Sequence, residues 1–556
     1  MQLNAPNIIF LTIDGLRYDR LACNGYEAAH SPAIDRLCRE GISFSNYFSH
    51  GSPTQFSFPP IFASTYPLDE GGYGSGIKQR AASFVEVLRD AGYWTVGLST
   101  GGALTAASGY NRGFVCYHEL NDTSVPLESV WKNQIVYYRK LYRVGQITLD
   151  DLIETIAPGV ELALQDTLRM CRERREEIAS GSIAGDADFR DRNYQRIAAY
   201  MSDELARLNA APRDYLETLI AAADIHDVYP RLPRPLVSRN KLAGTIYNHV
   251  NKVLSAIDVT LRFGRRKSVG VKTVFDSVER YVTRANGRKF FIWAHVLDVH
   301  DLDYSDTKLE LPPLMSRVFR NILRMGRRYR GLRRYDYAVT HVDGYIGRLL
   351  DHLKSSGLDR NTLLVVSADH GLAANWPRPS ISHVANFYDE HCHVPLVFHH
   401  KDLAPRVIGG LVGSVDLSVM LLGLLGLRPP ASFRGVDALA AEALGRPYIL
   451  MENLGRGPYD LQRKPIRLSI RTVDRKYIMD DDHGECQVRE VYDLSADPDE
   501  LINLIHNPAE RAGIDNARLL GAQRCAEVRG QPGISRIPSE AKSSEHPLLD
   551  ALKEKL

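Results

Sequence analysis

Two uninterrupted apolar runs stand out along the chain, and each is followed at once by acidic chemistry. The run Leu363-Leu364-Val365-Val366 leads into Ser367-Ala368-Asp369-His370-Gly371. The run Ile8-Ile9-Phe10-Leu11, within Asn7-Ile8-Ile9-Phe10-Leu11-Thr12-Ile13, leads into Asp14-Gly15. Continuous rather than alternating hydrophobicity over so short a span predicts strands buried on both faces, as in a parallel sheet. In open α/β sheets, ligands and reactive groups gather at the carboxyl edge of the strands. Two carboxylates discharged at that edge predict one shared metal site.

Between and around these runs the pattern predicts βαβ units. Ser31-Pro32 opens a short helix that Gly41 stops. The stretch NYFSHGSPTQFSFPPIFASTYP reads as a loop feeding a helix, where a hydroxyl at the N-terminus would meet an anion. An amphipathic helix over 81–92 precedes a strand at 94–98. From about 126 to 270 the strand signal vanishes, and charged segments with a 3.6-residue period predict an inserted helical region. The strand pattern returns at 289–297 (KFFIWAHVL) and runs into Asp298-Val299-His300-Asp301. A helix over 335–353 then leads to the second apolar run. Beyond 447 shorter strands predict a small α+β unit. The expected division is an α/β domain of 1–125 and 271–446, a helical insertion of 126–270, a C-terminal subdomain of 447–529 and a tail of 530–556.

Composition narrows the class. The chain has 556 residues, 44% hydrophobic and 24% charged, with a net charge of +2, so it is not a general polyanion binder. No apolar run approaches the ~18 residues of a membrane span, and the opening MQLNAPNIIFLTIDG lacks the basic region and cleavage site of a signal peptide. Seven scattered cysteines without CxxC spacing indicate neither a disulfide framework nor a zinc knuckle. A reducing, cytoplasmic setting is the expectation. The arginine-rich run over 317–334 is read as a solvated helix face, with a patch for a polyanion as the sharper alternative; RFGRRK at 262–267 is the same signal, weaker.

Asp14, Asp369 and His370 form a hard O/O/N set suited to Zn²⁺, Mn²⁺, Mg²⁺ or Ca²⁺. Thr54 is the candidate hydroxyl for a metal to activate, with Ser57 second.

In order and spacing, Asp14, the hydroxyl loop near residue 54, Asp298-Val299-His300 and Ser367–Gly371 resemble the sulfatase branch of the alkaline phosphatase superfamily. YDYAVTHVDGYIGRLLDHLKSSGLDRNTLLVVSADHG, YDEHCHVPLVF and VYDLSADPDELINL are similar to further family stretches. The resemblance implies an alkaline-phosphatase-like α/β fold, a mostly parallel mixed sheet sandwiched by helices. It also implies one or two divalent metal ions, with Asp14, Thr54, Asp369 and His370 as metal residues. Thr54 falls on the nucleophile position, but Phe56 and Phe58 stand where the formylglycine sulfatases carry Pro and Arg. Gly15 stands where the family has a second Asp, and LSTGGALTAASG lacks the expected Lys-x-His pair. The plain Thr resembles the phosphotransferase and phosphodiesterase branch. There His300 and His383, with His391 and His393 as competitors, would bind a second metal or contact the anion and protonate the leaving group. Arg17 and Ser57 are candidate substrate contacts, with a surface salt bridge the equal alternative for Arg17, and Asp298 is expected to orient a neighbour. The expected activity is hydrolysis of an anionic small-molecule or glycan ester, sulfate or phosphate, through a covalent Thr54 ester. A phospho-substituent transferase and a non-catalytic binding protein are the alternatives; no nucleic-acid or membrane signal is clear.

Overall fold

The computed structural model describes residues 2–26, 30–120, 135–181, 187–222, 269–300, 327–374, 377–378, 381–382, 386–440, 446–455, 459, 461, 464–482 and 484–530. Its main sheet has eight strands: β1 (Asn7–Ile13), β2 (Ile42–Phe44), β3 (Trp94–Ser99), β4 (Cys116–Glu119), β5 (Phe290–Val296), β6 (Thr362–Ser367), β7 (Leu396–His399) and β8 (Arg406–Ile408). Their spatial order is β8-β2-β7-β6-β1-β5-β3-β4. Both apolar runs became central strands with every residue buried, because each is covered on two faces. β1 lies parallel to β5 on one side and to β6 on the other. Only β7 breaks the parallel pattern, running antiparallel to both β6 and β2.

Helices flank the sheet. α1 (Pro32–Glu40), α2 (Thr54–Ala63) and α3 (Phe84–Asp90) come from its first part. Ser83 caps α3 in a capping box with Glu86, which starts that helix at Phe84, three residues later than periodicity alone suggests. Four helices follow: α4 (Val136–Arg143), α5 (Leu149–Ala179), α6 (Ala187–Ala210) and α7 (Pro212–Ala222). They share a core of their own that includes Leu152, Ile156, Leu164, Ile197, Met201 and Leu216. α5 is tied to the sheet through His118 on β4, whose ring nitrogens meet Glu177 Oε1 and the Tyr281 hydroxyl, each at 2.5 Å. α8 (Val271–Ala285), α9 (Arg327–Ser355) and α10 (Ser414–Leu424) complete the covering layers. α9 packs against both α8 and α1, while α10 packs against α2.

A second, antiparallel sheet follows: β9 (Ile449–Asn453), β10 (Ile466–Arg471), β11 (Arg475–Asp482) and β12 (Glu485–Asp493) in sequence order. α11 (Arg511–Val528) packs on it. Arg524 of α11, fully buried, forks onto Glu452 of β9 (2.7 and 2.9 Å) and reaches Asp69 at 2.7 Å. No described helix is long and apolar enough to cross a membrane. His383, RFGRRK at 262–267, the tail from 531 and most of the basic run over 317–334 lie outside the described residues.

Candidate metal centre and active site

Because β1, β5 and β6 are adjacent and parallel, their carboxyl ends open at one edge. Asp14 follows β1 and its backbone N–H bonds the Val296 carbonyl at 2.9 Å, so the acid is set against the end of β5. Asp369 and His370 follow β6. The expected Asp14, Asp369 and His370 therefore do meet: His370 Nε2 stands 3.4 Å from Asp14 Oδ1 and 3.6 Å from Asp369 Oδ2. All three are essentially without solvent exposure.

His295 was not among the expected site residues, and the sheet brings it in. It pairs in register with Thr12 on β1, which aims its ring along the same edge. Its Nε2 lies 3.3 Å from Asp14 Oδ2. Oxygen and nitrogen atoms of Asp14, His295 and Asp369 lie within 4.8 Å of one another. Asp14 Oδ1, His295 Nε2 and Asp369 Oδ2 are buried with no hydrogen-bond partner in the structure. Three orphaned polar atoms converging in a dry site fit a divalent cation, which would satisfy all of them.

The electrostatics agree. Burial pushes up the Asp369 carboxyl, and the neighbouring Asp14 charge pushes it further. Burial acts the same way on Asp14, but His300, His370 and His295 outweigh it and hold that carboxyl well below the usual range. Two like charges this close leave one of them protonated unless a cation joins them.

The hydrogen bonds of His370 fix its tautomer. Its Nδ1–H donates to the Gly371 carbonyl at 2.8 Å, an acceptor only, so in the neutral ring Nε2 carries the lone pair. The backbone N–H of His370 donates to Asp369 Oδ1 at 2.9 Å, which turns Oδ2 inward.

Thr54 is the first residue of α2, so its hydroxyl sits at the positive end of the helix, where an anion is favoured. Thr54 Oγ1 donates to Asp14 Oδ2 at 3.2 Å and lies 3.3 Å from His370 Nε2. It is half-buried, which leaves a path for substrate. Ser57 sits one turn further in and fully buried, its hydroxyl returned to the carbonyls of Thr54 (3.2 Å) and Pro53 (3.4 Å). Phe58, at the position where the resemblance suggests Arg, is buried and meets the His295 ring edge-on at 5.1 Å.

Gly15 adopts φ +78°, and a Cβ there would lie 3.4 Å from His300 Cα. His300 lies against Gly15, and its ring centroid is 6.1 Å from that of His370. His300 is half-buried, and Asp298 beside it is buried. Arg17 is buried with its fork on Asp19 (2.8 and 2.7 Å) and a weaker bond to the Leu372 carbonyl at 3.4 Å. His393 is stacked between Tyr18 (4.0 Å) and Phe48 (4.5 Å), with Nε2–H on the Ser45 carbonyl, a structural placement. His391 lends its carbonyl to Gly371 N at 2.7 Å.

Comparison with known proteins follows the same line. A family model described as Sulfatase matches residues 6–152 and 190–427. Arylsulfatase K of Bos taurus is 26% identical over 231 residues, 38% of this chain and 39% of that protein. The match thus spans well under half the length of that relative. Among solved structures, a 2-O GAG sulfatase superposes with a TM-score of 0.57 at 15% identity, covering 95% of this chain and 93% of the other. The phosphonate monoester hydrolase of Agrobacterium radiobacter gives 0.54 at 16% identity, with 95% and 96% covered. At such identities these two likenesses speak for the fold.

Proposed function

The chain belongs to the sulfatase family, and from that premise we propose that it is a divalent-metal-dependent hydrolase of sulfate or phosphate esters with Thr54 as nucleophile. The observation that carries this reading is the position of Thr54 Oγ1. It lies at a helix N-terminus, within 3.3 Å of both Asp14 and His370, beside a buried cradle of orphaned ligand atoms.

Asp14, His295, Asp369 and His370 would hold the cation. When bound, it would supply Lewis-acid stabilisation of the anionic group and favour ionisation of a nearby hydroxyl. The other roles fall to the chain. Asp14 Oδ2 takes the hydrogen bond from Thr54 Oγ1–H and orients the oxygen, whose proton is lost to solvent at the half-buried rim. Thr54 Oγ1 attacks sulfur or phosphorus in line, the bond to the ester oxygen breaks, and a Thr54 ester forms. His300, at the half-buried rim beside Asp14, gives the leaving oxygen its proton. It then takes one from the water that releases the Thr54 ester, and the departing Thr54 oxygen regains its proton from solvent. The α2 N-terminus and the buried edge stabilise the charge that grows on the non-bridging oxygens.

The substrate class we place first is an anionic glycan ester, in keeping with the GAG sulfatase among the similar structures. The test is a turnover panel of aryl sulfate, phosphate monoester, phosphodiester, phosphonate ester and sulfated disaccharides, each with Mn²⁺, Zn²⁺, Mg²⁺ or Ca²⁺. At least one ester is expected to turn over. Thr54→Ala should lower that rate by roughly three orders of magnitude or more, while Thr54→Ser keeps a measurable fraction. Turnover unchanged in Thr54→Ala, or no turnover on any ester with any ion, would overturn the proposal.

A further inference from the structure

Away from the metal edge, two of the seven cysteines have come together. Cys23 lies in the single helical turn Ala22–Asn24, and Cys38 lies in α1. Their sulfurs are 3.0 Å apart, about one ångström beyond the ~2.05 Å of a disulfide bond. Both residues are only partly buried, so a small reagent can reach them.

The juxtaposition does not depend on the sulfurs. Asp35 in the first turn of α1 accepts the Cys23 N–H at 2.9 Å and the Ser31 hydroxyl at 3.1 Å. α1 is itself held by Asp343 of α9, whose carboxylate accepts Ala33 N–H and Ile34 N–H at 3.1 and 2.8 Å. These bonds anchor both backbones before any disulfide forms, and about one ångström separates the sulfurs from bonding distance. We propose that Cys23 and Cys38 are a reversible disulfide site, closed by exchange with a low-molecular-weight disulfide and opened by thiols.

The step balances. The first thiol, as thiolate, attacks the external disulfide, forming a mixed disulfide and releasing one thiol; the second cysteine displaces the other thiol and closes the bridge. The protein loses two protons and two electrons, and the external disulfide becomes two thiols. The bridge would close a short loop and remove conformational freedom from the unfolded chain, so the oxidised form is the more stable one. It would brace the segment that leaves the metal edge. Asn24 Nδ2–H donates to the Tyr18 carbonyl at 2.9 Å, and Tyr18 stacks on His393.

The experiment exposes the full-length protein to glutathione disulfide, blocks the remaining thiols by alkylation and maps the cysteine peptides by mass spectrometry without reduction. The expected result is a linked pair containing Cys23 and Cys38, lighter by two hydrogens, with the other five cysteines alkylated. A melting temperature that rises on oxidation and returns with dithiothreitol accompanies it, and Cys38→Ser abolishes both changes. Recovery of both peptides alkylated, each carrying its own glutathione, or bridged to a different cysteine would overturn the proposal.

Discussion

Thr12 shows how much of the site depends on a residue that would never touch a metal. The Trp293 Nε1–H donates to Thr12 Oγ1 at 3.1 Å, and the same oxygen stands 2.9 Å from His295 Nδ1. For His295 to offer Nε2 to a cation its proton must sit on Nδ1, and Thr12 Oγ1 is the atom there to accept it. Thr12→Val should therefore weaken cation affinity by about 10–100-fold, read by titration calorimetry on the cation-free protein. Unchanged affinity would remove His295 from the ligand set. His295 was hidden in the sequence for the reason that makes it work. A single imidazole inside FFIWAHV looks like a satisfied core histidine, and only the register with Thr12 turns it toward Asp14. Asp14, Asp369 and His370 were legible because each ends an apolar run. Arg17 read equally as an anion contact or a salt bridge, and its buried guanidinium is forked onto Asp19.

The element that carries Thr54 is α2, and it is gripped at both ends by the second sheet. Before it, Glu452 N–H bonds the His50 carbonyl at 3.0 Å, and His50 Nδ1–H donates to the Leu450 carbonyl at 2.5 Å. Beyond it, Glu452 Oε1 accepts Leu68 N–H at 2.7 Å, and Arg524 ties Glu452 to Asp69. Arg524→Ala strips the cation from two buried carboxylates. It should destabilise the protein by about 3–5 kcal/mol, measured by urea denaturation; a loss under 1 kcal/mol would show that water replaces the guanidinium. Strand and helix identities near residues 7, 290, 362 and 466–493 followed from hydrophobic period and turn residues. The grip could not be foreseen, because Arg524 lies 72 residues from Glu452 and 455 from Asp69, and pairing over such separations leaves no local pattern.

Across the molecule, acid should find two buried imidazoles. Burial lowers His50 and His393 from 6.5 to about 4, against the partial opposition of the Leu450 carbonyl and Asp389 respectively. Each is neutral when folded and basic when unfolded. Its contribution, up to about 3 kcal/mol, is fully present above pH 6.5 and is lost as pH falls toward 4. Glu500, raised to about 7 by burial despite Lys476, acts in the opposite sense, losing its contribution as pH rises from 4.5 to 7. The clean reading is thus a difference: His393→Gln should show a shallower fall in stability between pH 6.5 and 4 than the unaltered protein, by urea midpoints. Parallel curves would mean that His393 is protonated in place. The order of the central strands has a consequence for biogenesis as well. β1 is made first, but its partner β5 lies 283 residues later in the pairing of Thr12 with His295, a wait of about 15–60 s at ~5–20 residues per second. For that interval the nascent chain carries NIIFLTI with neither edge covered, so yield in the cell should depend on what shelters that segment beside the ribosome.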